Sequence, residues 1–294
     1  MRAIFKRELR ALFGSLTGWG SLALLLAVAG VSVFIINVRG ASPVFADNIL
    51  YLALGMALSC GLLCANAFPA ERRQRTERAL YALPVRSGGV FFGKLLPRLV
   101  VVLMGGALLA LYPVVMSLLV PSVSMGEGLG GVLAVCALGV LFAATAVCCS
   151  AFSRTAVGAF IAYAALVALS FALPYAAPRV AALTSLPPLA LVLMPALAGV
   201  LAWAAFNDVL IGFAAAALVE APLLLHHLRG TDSAVTGFLA RAMKAAAVFD
   251  PLSLFARGIL DVPALVRWLS MALPFAVAGI LAVAARREGR RRAL

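Results

Sequence analysis

Long runs of uncharged residues constrain this chain more than any other feature of its sequence. Seven such runs occur, and an eighth is interrupted only by Glu220. A helix needs about 20 residues to cross the hydrocarbon core of a bilayer, and every run is long enough. The runs are Gly14–Val38, Asn48–Ala70, Leu99–Gly126, Gly128–Ser153, Thr155–Pro178, Val180–Asn207, Val209–Leu228 and Trp268–Ala285.

The composition agrees with a chain that is solvated mainly by lipid. Of the 294 residues, 64% are hydrophobic and 12% are charged, whereas soluble domains are about half apolar and a quarter charged. A soluble protein of this composition could not cover its apolar surface with polar groups. We therefore predict an all-α integral membrane protein, a polytopic bundle of about eight transmembrane helices, and not a soluble enzyme.

The distribution of Lys and Arg predicts the orientation. If the N-terminus is cytoplasmic and all eight runs span, seventeen basic residues lie inside and seven outside. The positive-inside rule favours this arrangement, with both termini in the cytoplasm. Seven spans would put the basic tail outside and are disfavoured. Six remain possible if Val180–Asn207 and Val209–Leu228 form a re-entrant pair.

Residues 1–13 form a short amphipathic segment before the first run. Ile4, Phe5, Leu9, Leu12 and Phe13 share one helical face, and basic residues cover the rest. This pattern is typical of a helix that lies in the membrane interface, with its apolar face toward the bilayer and its basic residues toward anionic headgroups. The alternative is a plain topology signal.

Residues 69–98 form the longest predicted cytoplasmic segment. It is basic, and Glu71 can pair with Arg75 at the i,i+4 spacing of a helix. Pro84 should end that helix, and Ser87-Gly88-Gly89 should form a turn before the chain re-enters the bilayer. Such a unit suits docking onto a cytoplasmic partner; the alternative is a solvated basic loop.

Part of this segment resembles a nucleotide-binding loop, but the match is incomplete. Gly88–Lys94 spells G-x-x-x-x-G-K, yet Leu95 stands where Mg²⁺ binding needs Ser or Thr. We therefore expect no nucleotide site, no metal and no other cofactor in this chain.

On the extracytoplasmic side of the membrane, residues 229–267 should form short helices interrupted at Pro251 and Gly258.

Glu220 is the one acidic residue inside a predicted span. A carboxylate at that depth is costly and is a candidate functional group. The alternatives are a protonated, hydrogen-bonded packing residue or a re-entrant helix that keeps the group hydrated. The sequence contains no pattern of a membrane protease, esterase or glycosyltransferase.

Several motifs resemble the permease subunits of ABC-2-type exporters, in particular the gliding-motility-type group. Ile4–Leu9 is similar to the opening interfacial helix of that family. Pro69–Val85 resembles its E-[RK]-x-x-x-T-x-x-x-L-x-x-x-P-V pattern, although Arg75 stands where Gly is frequent. Phe92-Gly93-Lys94 matches the entry to the third span, and Phe255–Ser270 resembles the segment before the last span.

The resemblance implies a single transmembrane domain over residues 1–294, with a six-span core plus two further spans. It also implies a second permease chain, identical or different, and a cytoplasmic ATPase subunit that drives export across the bacterial inner membrane. No nucleic acid is expected as a partner. Residues 69–98 would then be the coupling segment, with contacts to the ATPase through Glu71, Arg72, Arg73, Thr76, Glu77, Leu80, Pro84, Val85, Gly93 and Lys94.

Two other classes stay open at this stage. A secondary transporter or channel would work without an ATPase and would use ionisable groups along its path, of which Glu220 is the one visible candidate. A non-transporting membrane scaffold is the other. The cargo cannot be read from a pathway built of Ala, Leu, Val and Gly.

Overall fold

The computed structural model describes residues 2–40, 42, 44–74, 86–119, 125–182 and 232–291, with isolated residues between 195 and 224. Within this part of the chain the secondary structure is helical, without strands. In the described part of the chain, six helices are long and apolar enough to cross a membrane, so the chain is a multi-pass membrane protein. The candidate spans are Leu16–Arg39, Ile49–Arg73, Ser87–Leu119, Met125–Phe152, Ala156–Val180 and Val262–Glu288.

These six helices confirm six of the eight predicted spans. Most residues of the other two predicted spans, Val180–Asn207 and Val209–Leu228, lie outside the described part of the chain. The choice between six and eight spans is therefore still a prediction.

The described residues form two compact units. Unit 1 comprises Met1–Val167 and Pro251–Leu294, and unit 2 comprises Ala168–Asp250. The helices are α1 (Arg2–Phe13), α2 (Leu16–Val33, extended by a π-helix at Phe34–Arg39), α3 (Ile49–Ala65), α4 (Pro69–Arg73), α5 (Ser87–Leu109), α6 (Leu111–Leu119), α7 (Met125–Phe152), α8 (Ala156–Ala181), α9 (Asp232–Ala246), α10 (Leu252–Phe255) and α11 (Val262–Arg291).

Helix α7 is the centre of unit 1. It packs against α3, α5 and α11, and small residues let these helices approach closely. A Cβ at Gly131 would collide with Ile49 of α3, and one at Gly139 would collide with Val102 of α5 and press on Met56 of α3. Most of α7 is buried for this reason, although it is long enough to span.

Helix α5 begins earlier than the sequence predicted. Ser87-Gly88-Gly89 was expected to form a turn, and that expectation is wrong, because these residues form the first turn of α5. The break falls at Arg86, whose backbone is extended. The same span is interrupted at Ala110, and α6 begins at Leu111, two residues before Pro113. A proline removes a helical hydrogen bond and disturbs the preceding turn.

Contacts within unit 1 define its two ends. One end gathers α1, α4 and the C-terminal ends of α7 and α11, because Arg7 binds Glu71 and Arg286 binds Phe152. The opposite end holds the start of α7, where Gly128 faces Pro113 of α6 and Phe45, which lies just before α3.

The connection between α2 and α3 is closed by buried amides. Asn48 Nδ2 donates to Asn37 Oδ1 at 2.5 Å, and Asn37 Nδ2 donates to the carbonyl oxygens of Ser42 at 2.9 Å and Val44 at 3.2 Å. Asn37 lies in the π-helix, whose wider turn accommodates an inserted residue.

The segment at residues 229–267 contains short helices with the expected interruptions. In unit 1, Pro251 precedes α10, and Gly258 adopts a positive φ of 74° before α11 begins. In unit 2, α9 runs from Asp232 to Ala246. Phe171 and Phe249 contact edge to face there, with ring centroids 5.5 Å apart.

Candidate functional site

Five charged side chains from three helices meet at the first end of unit 1. We call them the ion cluster: Arg7 and Glu8 from α1, Glu71 from α4, and Lys94 and Arg98 from α5. Lys94 and Arg98 are one helical turn apart and therefore share a face of α5. The early start of α5 places this face inside a helix rather than in a loop.

Lys94 is the centre of the cluster and is fully buried. Its ammonium lies 2.7 Å from the Ala67 carbonyl oxygen, 3.0 Å from Glu71 Oε1 and 3.2 Å from Glu8 Oε1. It also lies 5.1 Å from the centroid of the Phe68 ring. All three ammonium protons thus have acceptors, which a buried charge requires.

Glu8 joins α1 to both cations of α5. One carboxylate oxygen binds Lys94, and the other lies 3.3 Å from Arg98 Nη1, which also donates to the Lys94 carbonyl oxygen at 2.6 Å. Burial by itself would raise the pKa of Glu8, but the charges of Lys94 and Arg98 outweigh it and hold that pKa below its usual range.

Arg7 completes the cluster at its rim. Its guanidinium lies 2.5 Å from Glu71 Oε1 and 3.2 Å from Glu8 Oε1, and more than half of its side chain is exposed. Because the pair is partly in solvent, it contributes less than the buried contacts of Lys94.

A glycine allows α1 to approach α5 closely enough for these pairs to form. A Cβ at Gly93 would lie 3.0 Å from Ile4 Cγ2 and 3.2 Å from Ile4 Cβ. Ile4 and Leu12 are buried on either side of Glu8, at i−4 and i+4. The Gly93-Lys94 pair, which looked like part of a nucleotide-binding loop, therefore supplies a close contact and a buried cation.

Arginines bind the C-terminal carbonyl groups of α7 beside the cluster. Arg72 donates to the Ala151 oxygen at 2.7 Å and also to the Ser153 oxygen, and Arg286 donates to the Phe152 oxygen. The last carbonyls of a helix lack intrahelical donors, and cations are favourable there. This network fixes α4 and the end of α11 to α7.

A serine joins the ends of α3 and α7 at the same place. Ser150 Oγ donates to the Ala65 carbonyl oxygen at 3.2 Å and accepts from the Phe68 N–H at 3.1 Å. The turn between α3 and α4 is thereby held in position, and it carries the Ala67 oxygen that binds Lys94.

The structure brings four of the ten predicted coupling residues into this region: Glu71, Arg72, Gly93 and Lys94. Arg73 is exposed. The predicted partner of Glu71, Arg75, lies outside the described residues, and so do Thr76, Glu77, Leu80, Pro84 and Val85. Glu220 belongs to unit 2, where its side chain is exposed, and its role stays a prediction.

Glu8 and Arg98 were not among the site residues predicted from the sequence, and the apolar face of α1 packs differently from its prediction. That face was expected to point into the bilayer, whereas Ile4 and Leu12 pack against the bundle together with Glu8. Only Phe5, Leu9 and Phe13 remain half-buried at its flank. Glu8 is the one acid in residues 1–13, and the presence of an acid in an otherwise basic segment was the available signal.

The cluster joins three helices mechanically. Its side chains pair with one another, and the residues that the structure describes contain no group of His, Cys, Asp and Glu able to hold a metal ion.

Searches against family models, curated proteins and solved structures find no match to this chain.

Proposed function

We propose that this chain is the transmembrane permease subunit of an ATP-driven exporter of the ABC-2 type, in the bacterial cytoplasmic membrane. The observation that carries the proposal is the ion cluster, which anchors both ends of the basic segment between Arg73 and Arg86. Glu71 lies at one end of that segment, and Lys94 lies in the helix that follows the other end.

The anchoring matters because a segment can transmit force only if its ends cannot move independently of the spans. Glu71 is tied to Lys94, and its neighbour Arg72 is tied to the end of α7. A displacement applied to residues 75–85 is therefore passed directly to α4, α5 and α7. This is the property that a docking segment for a motor subunit needs.

The mechanism follows from differential binding. Two permease chains form the pathway, and the ATPase subunits bind their coupling segments differently in the nucleotide-bound and nucleotide-free states. That difference in contacts biases the bundle between inward-open and outward-open arrangements. The excess of basic residues at the anchored end supports a cytoplasmic position for the coupling segment.

Reconstitution of the exporter tests the proposal. The tagged chain is purified from native membranes in mild detergent, and the ATPase that accompanies it is identified by its nucleotide-binding sequence and reconstituted with it in proteoliposomes. We expect Glu71→Gln and Pro84→Gly to lower the stimulation of ATP hydrolysis by the permease, with membrane insertion unchanged. Glu71→Gln is preferred to Glu71→Arg, because a new cation beside buried Lys94 would itself disturb the fold.

Glu288→Gln is the matched control, because it removes an exposed carboxylate near the C-terminal end of α11, at the same end of unit 1 as Glu71. This variant should leave the stimulation of ATP hydrolysis unchanged. Transport by the purified chain without an ATPase would overturn the proposal in favour of a secondary transporter or channel. Normal coupling in both Glu71→Gln and Pro84→Gly would remove residues 69–98 from the mechanism.

A further inference from the structure

The outer face of α1 is basic and is exposed in the part of the chain that the structure describes. Lys6 and Arg10 are exposed and lie one helical turn apart. They are opposite the face that Ile4, Glu8 and Leu12 bury. Arg7 lies between these faces, where Glu71 and Glu8 already engage its guanidinium.

An aromatic and aliphatic surface adjoins this basic face. The rings of Phe13 and Trp19 contact edge to face with centroids 5.9 Å apart, and the Trp19 indole N–H donates to the Phe13 carbonyl oxygen at 2.8 Å. Trp19 is 57% exposed and Leu16 is 91% exposed. Both residues lie in the first turns of α2, which is a candidate span.

We infer that Lys6, Arg10, Phe13, Leu16 and Trp19 form a binding surface for the headgroup of an anionic phospholipid. Lys6 and Arg10 bind the phosphate and any further acidic group, and the indole and Leu16 contact the glycerol and the upper acyl chains. The inference does not depend on an ATPase partner or on the substrate of the exporter.

The position of the apolar residues identifies the occupant as lipid. Leu16 and Trp19 begin a membrane span, so a soluble protein or a nucleic acid could reach Lys6 and Arg10 but not the adjoining apolar surface. A phospholipid carries a negative group directly above an apolar one and satisfies both. Tryptophan is favoured at this level of the bilayer because its ring is apolar and its N–H is polar.

Quenching of Trp19 by brominated lipid tests the inference in the full chain. The protein is reconstituted in vesicles that contain phosphatidylglycerol or phosphatidylcholine brominated near the glycerol end of the acyl chains. The Trp19 signal is the difference between the wild type and Trp19→Phe, which removes the contribution of the other two tryptophans. Relative affinities follow from quenching as a function of the brominated fraction.

Each basic residue near an anionic surface strengthens binding by about fivefold, so the pair is expected to give a preference of about 25-fold for phosphatidylglycerol. The variant Lys6→Gln/Arg10→Gln should reduce that preference at least about fivefold. The matched control is Arg241→Gln/Lys244→Gln, which removes an exposed basic pair from α9 and should leave the preference unchanged.

Two results would overturn the inference. The first is equal quenching of wild-type Trp19 by the anionic and the zwitterionic lipid. The second is an equal loss of preference in the α9 control, which would show that net charge attracts the lipid rather than this surface. Neither result bears on coupling to an ATPase, which is measured separately by ATP hydrolysis.

Discussion

Lys94 of α5 and Glu71 of α4 form a buried ion pair, with the ammonium 3.0 Å from the carboxylate oxygen. The Lys94 side chain has 1% of its surface exposed and that of Glu71 has 12%. The two residues stand on either side of residues 75–85, so their pairing closes the base of the proposed coupling segment.

Removal of the Lys94 charge should be strongly destabilising. Lys94→Met keeps the volume of the side chain but leaves Glu8 and Glu71 without their shared cation in a buried site. Breaking a buried ion pair in this way costs about 3–5 kcal/mol. The free energy of unfolding, measured by titration with a denaturing detergent, should fall by that amount.

A double-mutant cycle with Glu8 checks the cause of that loss. If the ion pair is responsible, Lys94→Met and Glu8→Gln together should cost less than the sum of the two single changes, with a coupling energy of about 1–3 kcal/mol. Strict additivity would show that Lys94 acts through packing alone.

The stability of the protein should depend on the ionisation of Glu8. Its pKa in the folded state lies below the ordinary value of 4.5, because Lys94 and Arg98 outweigh the effect of burial. A carboxyl of this kind contributes stability that is complete above the unfolded-state pKa and is lost as the pH falls through the folded-state pKa. The loss should therefore begin near pH 4.5 and continue below it.

Glu8→Gln should flatten this acidic part of the profile of unfolding free energy against pH. Glu288→Gln, which alters an exposed carboxyl, provides the comparison and should keep the slope of the wild type. If Glu8→Gln has the same slope as the wild type, Glu8 does not carry the acid sensitivity.

The ion cluster shows what the sequence could and could not predict. Uncharged runs located the six described spans because the requirement for about 20 apolar residues is local. The same criterion treated Lys94 and Arg98 as the edge of a loop and placed the start of the third span at Leu99. Both cations lie inside a helix that begins at Ser87. Their charges are neutralised by Glu8, which is 86 residues from Lys94 and 90 residues from Arg98 in the sequence.

Local patterns also explain why the packing of α1 against α5 was not predicted. A hydrophobic face predicts burial, but it does not distinguish lipid from protein as the partner. Gly93 is the feature that decides in favour of protein, since it opens a place for Ile4 on α5. The coupling motif itself was recognised by its pattern, and its central residues Thr76–Val85 lie outside the described residues.

The contact between Gly93 and Ile4 predicts a steric effect. Gly93→Ala would put a methyl group 3.0 Å from Ile4 Cγ2, so the Ile4 side chain of α1 has to shift by a few tenths of an ångström. Overpacking of this kind typically costs about 1–3 kcal/mol, and the displacement should weaken the bonds of Glu8. We expect a lower free energy of unfolding and an altered emission spectrum of Trp19, which follows α1 directly.

A matched glycine and a compensating change test this explanation. Gly88→Ala lies in the same helix, where the nearest atom, Ile280 Cδ1, is 3.8 Å away, and it should cause no loss of stability. Gly93→Ala combined with Ile4→Ala should recover part of the loss. If the double variant is less stable than Gly93→Ala alone by the full cost of the Ile4 truncation, the contact is not the cause.

The two ends of unit 1 should lie on opposite sides of the membrane, and the anchored end should be cytoplasmic. Gln74 follows α4 at the anchored end and Arg39 ends the π-helix at the other, and both are exposed. Gln74→Cys should react with an impermeant maleimide only after cells are permeabilised, whereas Arg39→Cys should react in intact cells. The native cysteines are largely buried, and the wild-type protein measures their background.

This labelling pattern decides more than topology. An ATPase subunit that uses cytoplasmic ATP can bind only segments that lie in the cytoplasm. A coupling role for residues 69–98 therefore requires that Gln74→Cys does not react with the impermeant maleimide in intact cells. Labelling of Gln74→Cys from outside would reverse the orientation of every span. It would also separate the ion cluster from ATP hydrolysis, while leaving the packing of α1, α4 and α5 around Lys94 as it stands.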